Sequence, residues 1–298
     1  MVHHDVCPLC SSEEISLKFR CTDHFVSQQE YSLYACSSCN FVFTQDYPAE
    51  SEIGRYYESD DYISHSDTSK GFSNKAYRLA RNLMLGRKRQ IIINETGLKS
   101  GNLLDIGCGT GHFAHLMKKS GWNVKGVEIN EKARNFGRSV FGMEIIDPSQ
   151  IGTLESGSFD CVTLWHVLEH FHDPFKYMSD IHQLLKPGGM CLIALPNCNS
   201  YDASAYRQFW AAWDVPRHLW HFNPYTFRLF SDKAGFRLTK LRTLPLDVFY
   251  ISIISERYKG STFSFIKGAI KALPFALFSV FHKSRSSSLI YLLQKNPQ

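Results

Sequence analysis

The chain lacks an apolar segment after Met1. In its most apolar C-terminal stretch the longest uncharged run, Ala272 to Phe281, falls well short of the roughly 20 residues a membrane-spanning helix needs, and Pro274 interrupts it. Neither a secretory leader nor a spanning segment is therefore expected. A disulfide framework is also missing: of nine cysteines, five stand singly in predicted strands or loops, which suits a reducing cytoplasm. Acidic residues stop at Glu256. The seven cations beyond it (Arg257, Lys259, Lys267, Lys271, Lys283, Arg285 and Lys295) give the tail +7 and leave the remainder at −2 of a total of +5, so an anionic partner is expected at the C-terminal end. What is present, 44% hydrophobic and 14% aromatic content over 298 residues, is enough to bury one large core and hold a small accessory module.

Two C-x-x-C knuckles, Cys7-Pro8-Leu9-Cys10 and Cys36-Ser37-Ser38-Cys39, bracket β-prone residues near the start. Thiolates two residues apart can share one tetrahedral ion, and residues 1–45 have too little apolar mass to fold unaided. A zinc ribbon folded by its metal is predicted, with Cys7, Cys10, Cys36 and Cys39 as ligands. The alternative is a pair of redox dithiols. Between the knuckles only Lys18 and Arg20 are cationic, against Glu13, Glu14, Asp23 and Glu30, so no nucleic-acid partner is expected.

Residues 46–100 read as a helical cap in which Tyr56, Tyr57 and Tyr62 precede a helical run from about Asn74 to Thr96. From Gly101 onward, strands near 103–106, 123–129, 143–146, 159–165, 190–195, 236–244 and 287–294 alternate with helices. Asn130, Asp173-Pro174 and Asn223-Pro224 supply the helix starts. This alternation predicts an α/β fold: a doubly wound, mainly parallel, seven-stranded Rossmann-like sheet over 101–298, carrying an amphipathic insert at about 246–285.

The first two of these strands carry the chemistry. Leu103-Leu104-Asp105-Ile106 runs into Gly107-Cys108-Gly109-Thr110-Gly111, and Val127-Glu128-Ile129 ends the next strand. Glycines beyond a strand's carboxyl end let ligand atoms approach the backbone, and an acid tipping the following strand grips a ribose. The spacing departs from the G-x-G-x-x-G of dinucleotide folds, and Asp105 would disfavour a pyrophosphate while suiting a cationic ligand. The pattern resembles the class I S-adenosylmethionine-dependent methyltransferases. That resemblance implies S-adenosylmethionine as cofactor, held by Asp105, Gly107, Cys108, Gly109, Gly111, Glu128 and Ile129. It further implies Asp147 near the adenine amino group and Trp165 beside the methionine part; Tyr62 either touches the cofactor or packs on the sheet edge.

Trp165-His166-Val167-Leu168-Glu169-His170 resembles the H-V-L-E-H signature of the same superfamily. His166 and His170 are candidates to act on or orient substrate. With Glu169 they also fall at i, i+3 and i+4, where one metal ion could be shared if the turn is helical. The ubiquinone O-methyltransferases hold a divalent ion at a comparable place, with an acid where this chain has His166. After the fifth strand, residues 201–222 concentrate Trp210, Trp213, Arg217, His218, Trp220 and His221 and read as a substrate loop. His218 or His221 could remove an acceptor proton while Arg217 holds a phosphate or carboxylate; the plainer alternative packs a histidine beneath the loop.

In the insert, Phe263, Ile266, Ile270, Leu273, Leu277 and Phe281 repeat at helical spacing among basic residues. An amphipathic hairpin is expected, with residues 260–283 meeting either the inner membrane surface or protein, as a lid or dimer helix. The ribbon ahead of the core resembles the sugar C-methyltransferases, whose further C-terminal domain has no counterpart in these residues. The acceptor is thus expected to be a small molecule, sugar-linked or lipid-linked. Rival readings are a non-enzymatic ribbon module on a cofactor-stabilised α/β domain, and an NAD-dependent oxidoreductase.

Overall fold

The computed structural model describes residues 1–57 and 72–295, the side chains of 72–80 excepted; Tyr62 lies outside them. The elements in chain order are β1 (Ile15–Thr22), β2 (Glu30–Cys36), β3 (Val42–Gln45), α1 (Phe72–Thr96), β4 (Asn102–Ile106), α2 (His112–Lys119), β5 (Asn123–Val127) and α3 (Glu131–Phe141). They continue with β6 (Glu144–Ile146), β7 (Phe159–Trp165), α4 (Pro174–Leu184), β8 (Leu185–Pro196), α5 (Tyr201–Tyr206), β9 (Trp220–His221), α6 (Pro224–Lys233), β10 (Phe236–Thr243), α7 (Asp247–Tyr258), α8 (Ser264–Phe281) and β11 (Ser288–Lys295).

The expected sheet is present. Its order is β10-β11-β8-β7-β4-β5-β6, with β6, β5, β4, β7 and β8 parallel to one another and β11 inserted antiparallel between β8 and β10. Strands covered on both faces must be apolar throughout. Accordingly Leu103, Leu104 and Ile106 in β4, and Leu192, Ile193, Ala194 and Leu195 in β8, are all buried. The chain runs outward from β4 to β6 and then returns to β7 on the other side of β4. That reversal opens a crevice beyond the carboxyl ends of β4 and β7, where open α/β sheets bind ligands. One boundary differs from the sequence reading: β8 starts at Leu185, so Lys186-Pro187-Gly188-Gly189 belongs to the strand and not to the turn before it.

The N-terminal strands form a second, antiparallel sheet, β1-β2-β3-β9, whose last member comes from the loop after β8. Val42 pairs with His221 and Phe43 with Trp220. Cys7, Cys36, Phe41, Phe43 and Tyr47 lie in one continuous apolar cluster with Trp220, Phe222, Leu164 and Leu195. The ribbon is therefore built into the wall of the larger domain. The insert is a helical hairpin, α7 against α8, joined across the turn by Lys271 Nζ to Glu256 Oε1 at 2.6 Å.

Candidate active site

Where β4 ends, the chain leaves the sheet with the Gly107 and Cys108 amides both donating to the Val127 carbonyl of β5, at 2.7 and 3.0 Å. Gly107, Gly109 and Gly111 all have positive φ, a conformation that favours glycine. A Cβ on Gly109 would meet nothing within 4 Å, so the backbone there fronts open space. Glu128 completes the cradle. Its Oε2 accepts from the Gly109 amide at 2.8 Å and its Oε1 from the Asn130 amide at 2.9 Å. Each carboxylate oxygen retains a further acceptor position. Ile129 beside it is 77% exposed, an apolar surface with no protein covering. Cys108 turns its thiol toward Gly126, where an added Cβ would lie 2.7 Å from the sulfur, and so offers the crevice only its backbone.

Asp105 is buried and accepts from Thr163 Oγ1 at 2.7 Å. Burial pushes its pKa up to about 7, against the opposing pull of the Thr163 bond and the Lys88 ammonium. That lysine, from α1, lies 4.3 Å over the Trp165 ring, and burial lowers its pKa against the charges of Asp247 and Asp105. Sequence reading missed Lys88, since nothing in a basic helical stretch marks one lysine as inward. Trp165 packs edge-on against Phe113 at 5.3 Å, and its buried Nε1 has no hydrogen-bond partner among the described residues.

Asp147 has another task. Its Oδ1 accepts from the Ser149 amide (3.1 Å) and hydroxyl (2.7 Å), while Oδ2 lies 3.0 Å from Arg134 Nη1. The Ser149 bonds first, and then Arg134, hold its carboxyl below the usual range. Asp147 caps the turn at 148–153, with Oδ1 taken up by Ser149 and Oδ2 shared with Arg134.

The turn after β7 departs from the helical geometry that would align His166, Glu169 and His170. His166 takes φ of 59°, which sends Nε2 to Asp247 Oδ2 at 3.1 Å and leaves Nδ1 3.6 Å from Glu169 Oε1. Burial alone would lower its pKa, but the Asp247 and Glu169 carboxylates hold it up at about 9. At neutral pH it is a cation that orients its neighbours and cannot accept a proton. Burial, and then His218, push His170 down to about 4, so it is neutral; its Nδ1 lies 2.9 Å from the Tyr57 hydroxyl and 3.1 Å from the Arg217 carbonyl.

His218, from the loop after β8, completes this cluster. Its Nδ1 is 2.9 Å from the Ala212 carbonyl. A carbonyl only accepts, which assigns a proton to Nδ1; Nε2 lies 3.9 Å from Glu169 Oε1 and 3.7 Å from Asp214 Oδ2. Glu169 is 1% exposed, and neither of its oxygens has a hydrogen-bond partner among the described residues. Ligand atoms of Glu169, His170 and His218 lie within 4.8 Å of one another, a set that could hold one divalent cation. The third ligand would then be His218 and not His166.

Two loop residues leave the candidate list. Arg217 is 3% exposed; its Nε and Nη2 engage the Asp214 carboxylate, its Nη1 donates to the Tyr56 carbonyl at 3.1 Å, and its guanidinium lies 4.4 Å over the Phe25 ring. Such a fork has no face left for a substrate anion. His221 is buried, with Nε2 3.0 Å from Thr44 Oγ1 and its ring 4.9 Å from Trp213; burial pushes its pKa far down. It joins β9 to β3 and lies in the wall. Trp210 and Trp213 are likewise buried, bonded through Nε1 to Asp202 and to the Arg207 carbonyl.

On the far side of that wall the four N-terminal cysteines converge. Cys7 and Cys39 sulfurs are 3.6 Å apart, as are those of Cys10 and Cys36, and all four lie within 4.8 Å of one another. A tetrahedral ion with bonds of about 2.3 Å sets its ligand sulfurs about 3.8 Å apart, so the cluster fits one zinc-sized ion. Burial raises the Cys7 thiol to about 11 and pushes Cys39 up as well, whereas at Cys36 burial is outweighed by the Cys39 and Ser38 amides and the Cys10 thiol, which bring it down to about 7.

A family model described as a methyltransferase domain matches residues 76–241. The ubiquinone biosynthesis O-methyltransferase of Thiobacillus denitrificans is 32% identical over 111 residues, covering 35% of this chain and 47% of that protein. Its namesake from Pseudomonas aeruginosa is 33% identical over 115 residues, covering 36% and 50%. The chain thus spans about half the length of the curated relatives it matches. Among solved structures, magnesium protoporphyrin IX methyltransferase from Synechocystis PCC 6803 with bound SAH aligns with a TM-score of 0.55 at 14% identity, over 83% of this chain and 100% of that one. The 1,6-didemethyltoxoflavin-N1-methyltransferase of Burkholderia thailandensis gives 0.52 at 14% identity, over 92% and 99%. At such identities the likeness is one of fold.

Proposed function

Since this chain belongs to the methyltransferase-domain family, we propose that it transfers a methyl group from S-adenosylmethionine to a small-molecule acceptor, sugar-linked or lipid-linked, admitted past the loop at 197–222. The observation that carries the reading is the Glu128 carboxylate at the end of β5, bonded to the Gly109 amide in the glycine turn after β4, with acceptor positions left over. Glu128 would hold both ribose hydroxyls, Ile129 the adenine face, and the glycine turn the sulfur-bearing chain where it passes close to backbone. The cofactor, when bound, supplies a methyl group already activated on a sulfonium.

The protein's part is alignment and exclusion of water, which can lower such a barrier by roughly 7–11 kcal/mol. If the acceptor must lose a proton, His218 is the candidate base: its Nδ1–H is held by the Ala212 carbonyl, and the Glu169 and Asp214 carboxylates beside Nε2 stabilise the imidazolium that forms. A positioned base contributes on the order of 10²–10⁴-fold. We also infer that the four cysteines hold a structural zinc and that the protein works in a reducing cytoplasm, where such thiolates persist.

Calorimetry tests the assignment. Heat with S-adenosylmethionine and with its demethylated product, and none with NAD, is the expected result; the reverse pattern makes the protein an oxidoreductase, and heat with S-adenosylmethionine but no transfer of a labelled methyl group a non-enzymatic module. Incubating a cell extract with enzyme and methyl-labelled cofactor, followed by mass spectrometry, would identify the acceptor.

A pH dependence follows from Asp105. Its pKa of about 7 in the free protein means that it is largely protonated at pH 6, whereas a ligand bearing ammonium and sulfonium charges favours the carboxylate. Binding then releases a proton. Affinity should rise by several-fold from pH 6 to pH 7 and level off above pH 8, and Asp105→Asn should flatten the profile. A flat wild-type profile would show that ligand binding leaves the protonation of Asp105 unchanged.

A further inference from the structure

The hairpin's outer helix presents solvent with a surface no water-soluble domain needs. On α8, Gly268 and Ala272 are buried against α7, and a Cβ on Gly268 would fall 2.5 Å from the Ile253 Cα, so the two helices cross in backbone contact. On the opposite stripe Ile266, Ile270, Leu273, Leu277, Val280 and Phe281 are each between 55% and 75% exposed. Such a contiguous apolar stripe marks an interaction surface.

Charge decides the occupant. Arg257 and Lys259 lie before the helix, Lys267 on it, and Lys283 and Arg285 after it, while no acid follows Glu256, itself buried and bonded to Lys271. A second copy of this face would set like charges against each other; an anionic bilayer complements both its apolar stripe and its cations. By length and composition Ser264–Phe281 meets the minimum for a crossing helix. One side of it, however, is committed to α7, and Pro274 and Lys267 interrupt the apolar run.

We propose that α8 lies flat on an anionic membrane surface and sets the substrate loop toward it, so that the acceptor is an amphiphile held in that bilayer. The hairpin is fixed to the site at both ends. Asp247, the first residue of α7, bonds His166, while the Arg285 guanidinium lies 4.8 Å over the Tyr201 ring, itself 5.7 Å from Phe278. Tyr201 opens the loop that carries His218. Docking stands independently of methyl transfer; the acceptor class rests on it.

Flotation of the full chain with vesicles tests both parts. Co-flotation with phosphatidylcholine vesicles containing about a third phosphatidylglycerol, weak binding to phosphatidylcholine alone, and release by alkaline carbonate are the expected results. Leu273→Glu with Leu277→Glu should lower vesicle affinity at least tenfold, and Lys267→Glu with Lys283→Glu by a similar factor reversed by salt, both leaving cofactor affinity unchanged. Resistance to carbonate would mean a crossing helix, and a shift from dimer to monomer in light scattering without change in flotation a protein interface; either overturns the proposal. Labelled-methyl incorporation into vesicle lipid extracts tests the acceptor class: vesicle binding with label only in water-soluble product refutes that class, and vesicle binding without cofactor binding refutes methyl transfer alone.

Discussion

If the four cysteines hold zinc as proposed, its removal is expected to unfold the ribbon sheet and abolish methyl transfer while leaving cofactor affinity within a few-fold. Structural zinc contributes about 10–16 kcal/mol in small zinc-binding peptides, as much as the entire stability of many domains. Without it, Cys7, Cys36 and Cys39 become closely packed thiols, and residues 1–45 keep little apolar core of their own. The damage would not stop there. β3 holds β9 by main-chain pairing, Thr44 Oγ1 donates to the His218 carbonyl at 2.7 Å, and the Thr44 amide donates to the Leu219 carbonyl at 2.9 Å. The stretch bearing His218 is thus fastened to the ribbon, whereas Gly109 and Glu128 are fastened to β4 and β5. Chelation followed by circular dichroism, calorimetry with S-adenosylmethionine, and turnover with a labelled methyl group would separate the two. Full turnover in the metal-free protein would show the ribbon to be dispensable for positioning the loop. Cys39→Ser should reproduce the chelated state without chelator.

The different fates of the two halves of the site explain what could be read from sequence. The cofactor half is local. A glycine turn, an acid tipping the next strand, and the caps at Asn130, Asp173 and Asn223 all lie within a few residues of their partners, and each cap accepts the amide its position predicts. The loop half is not local. Arg217 and His221 have the chemistry of substrate-binding residues; Asp214, which takes two of the Arg217 nitrogens, is three residues away, but the partners that complete their engagement, Tyr56 and Thr44, precede them by 161 and 177 residues. His166 falls outside the cluster for a related reason. Its spacing to Glu169 and His170 presumes a helical turn, and the left-handed backbone at His166 hands it to Asp247 in α7 and leaves the third place in the cluster to His218. Lys88 carries no sequence signal, because only the folded α1 brings a lysine over the Trp165 ring.

Glu128→Ala is expected to weaken S-adenosylmethionine binding by at least a hundredfold. Two hydrogen bonds from ribose hydroxyls to a carboxylate contribute about 1.5–3 kcal/mol each, and every 1.4 kcal/mol is tenfold in affinity. The substitution also strips the Gly109 and Asn130 amides of their acceptor, so the turn that meets the ligand loosens as well. Glu128→Gln separates these contributions. It keeps one acceptor oxygen and nearly the same shape, and should fall between the alanine variant and the parent. Asp147→Ala supplies the contrast: its carboxylate serves Ser149 and Arg134, so a loss of no more than about threefold in cofactor affinity is expected, together with a small loss of stability from the missing cap. Calorimetry on all three, with circular dichroism to show that each is folded, checks the ordering. Equal affinities for the Glu128→Ala variant and the parent would remove the ribose from this acid, and with it the reason for placing the cofactor between β4 and β5.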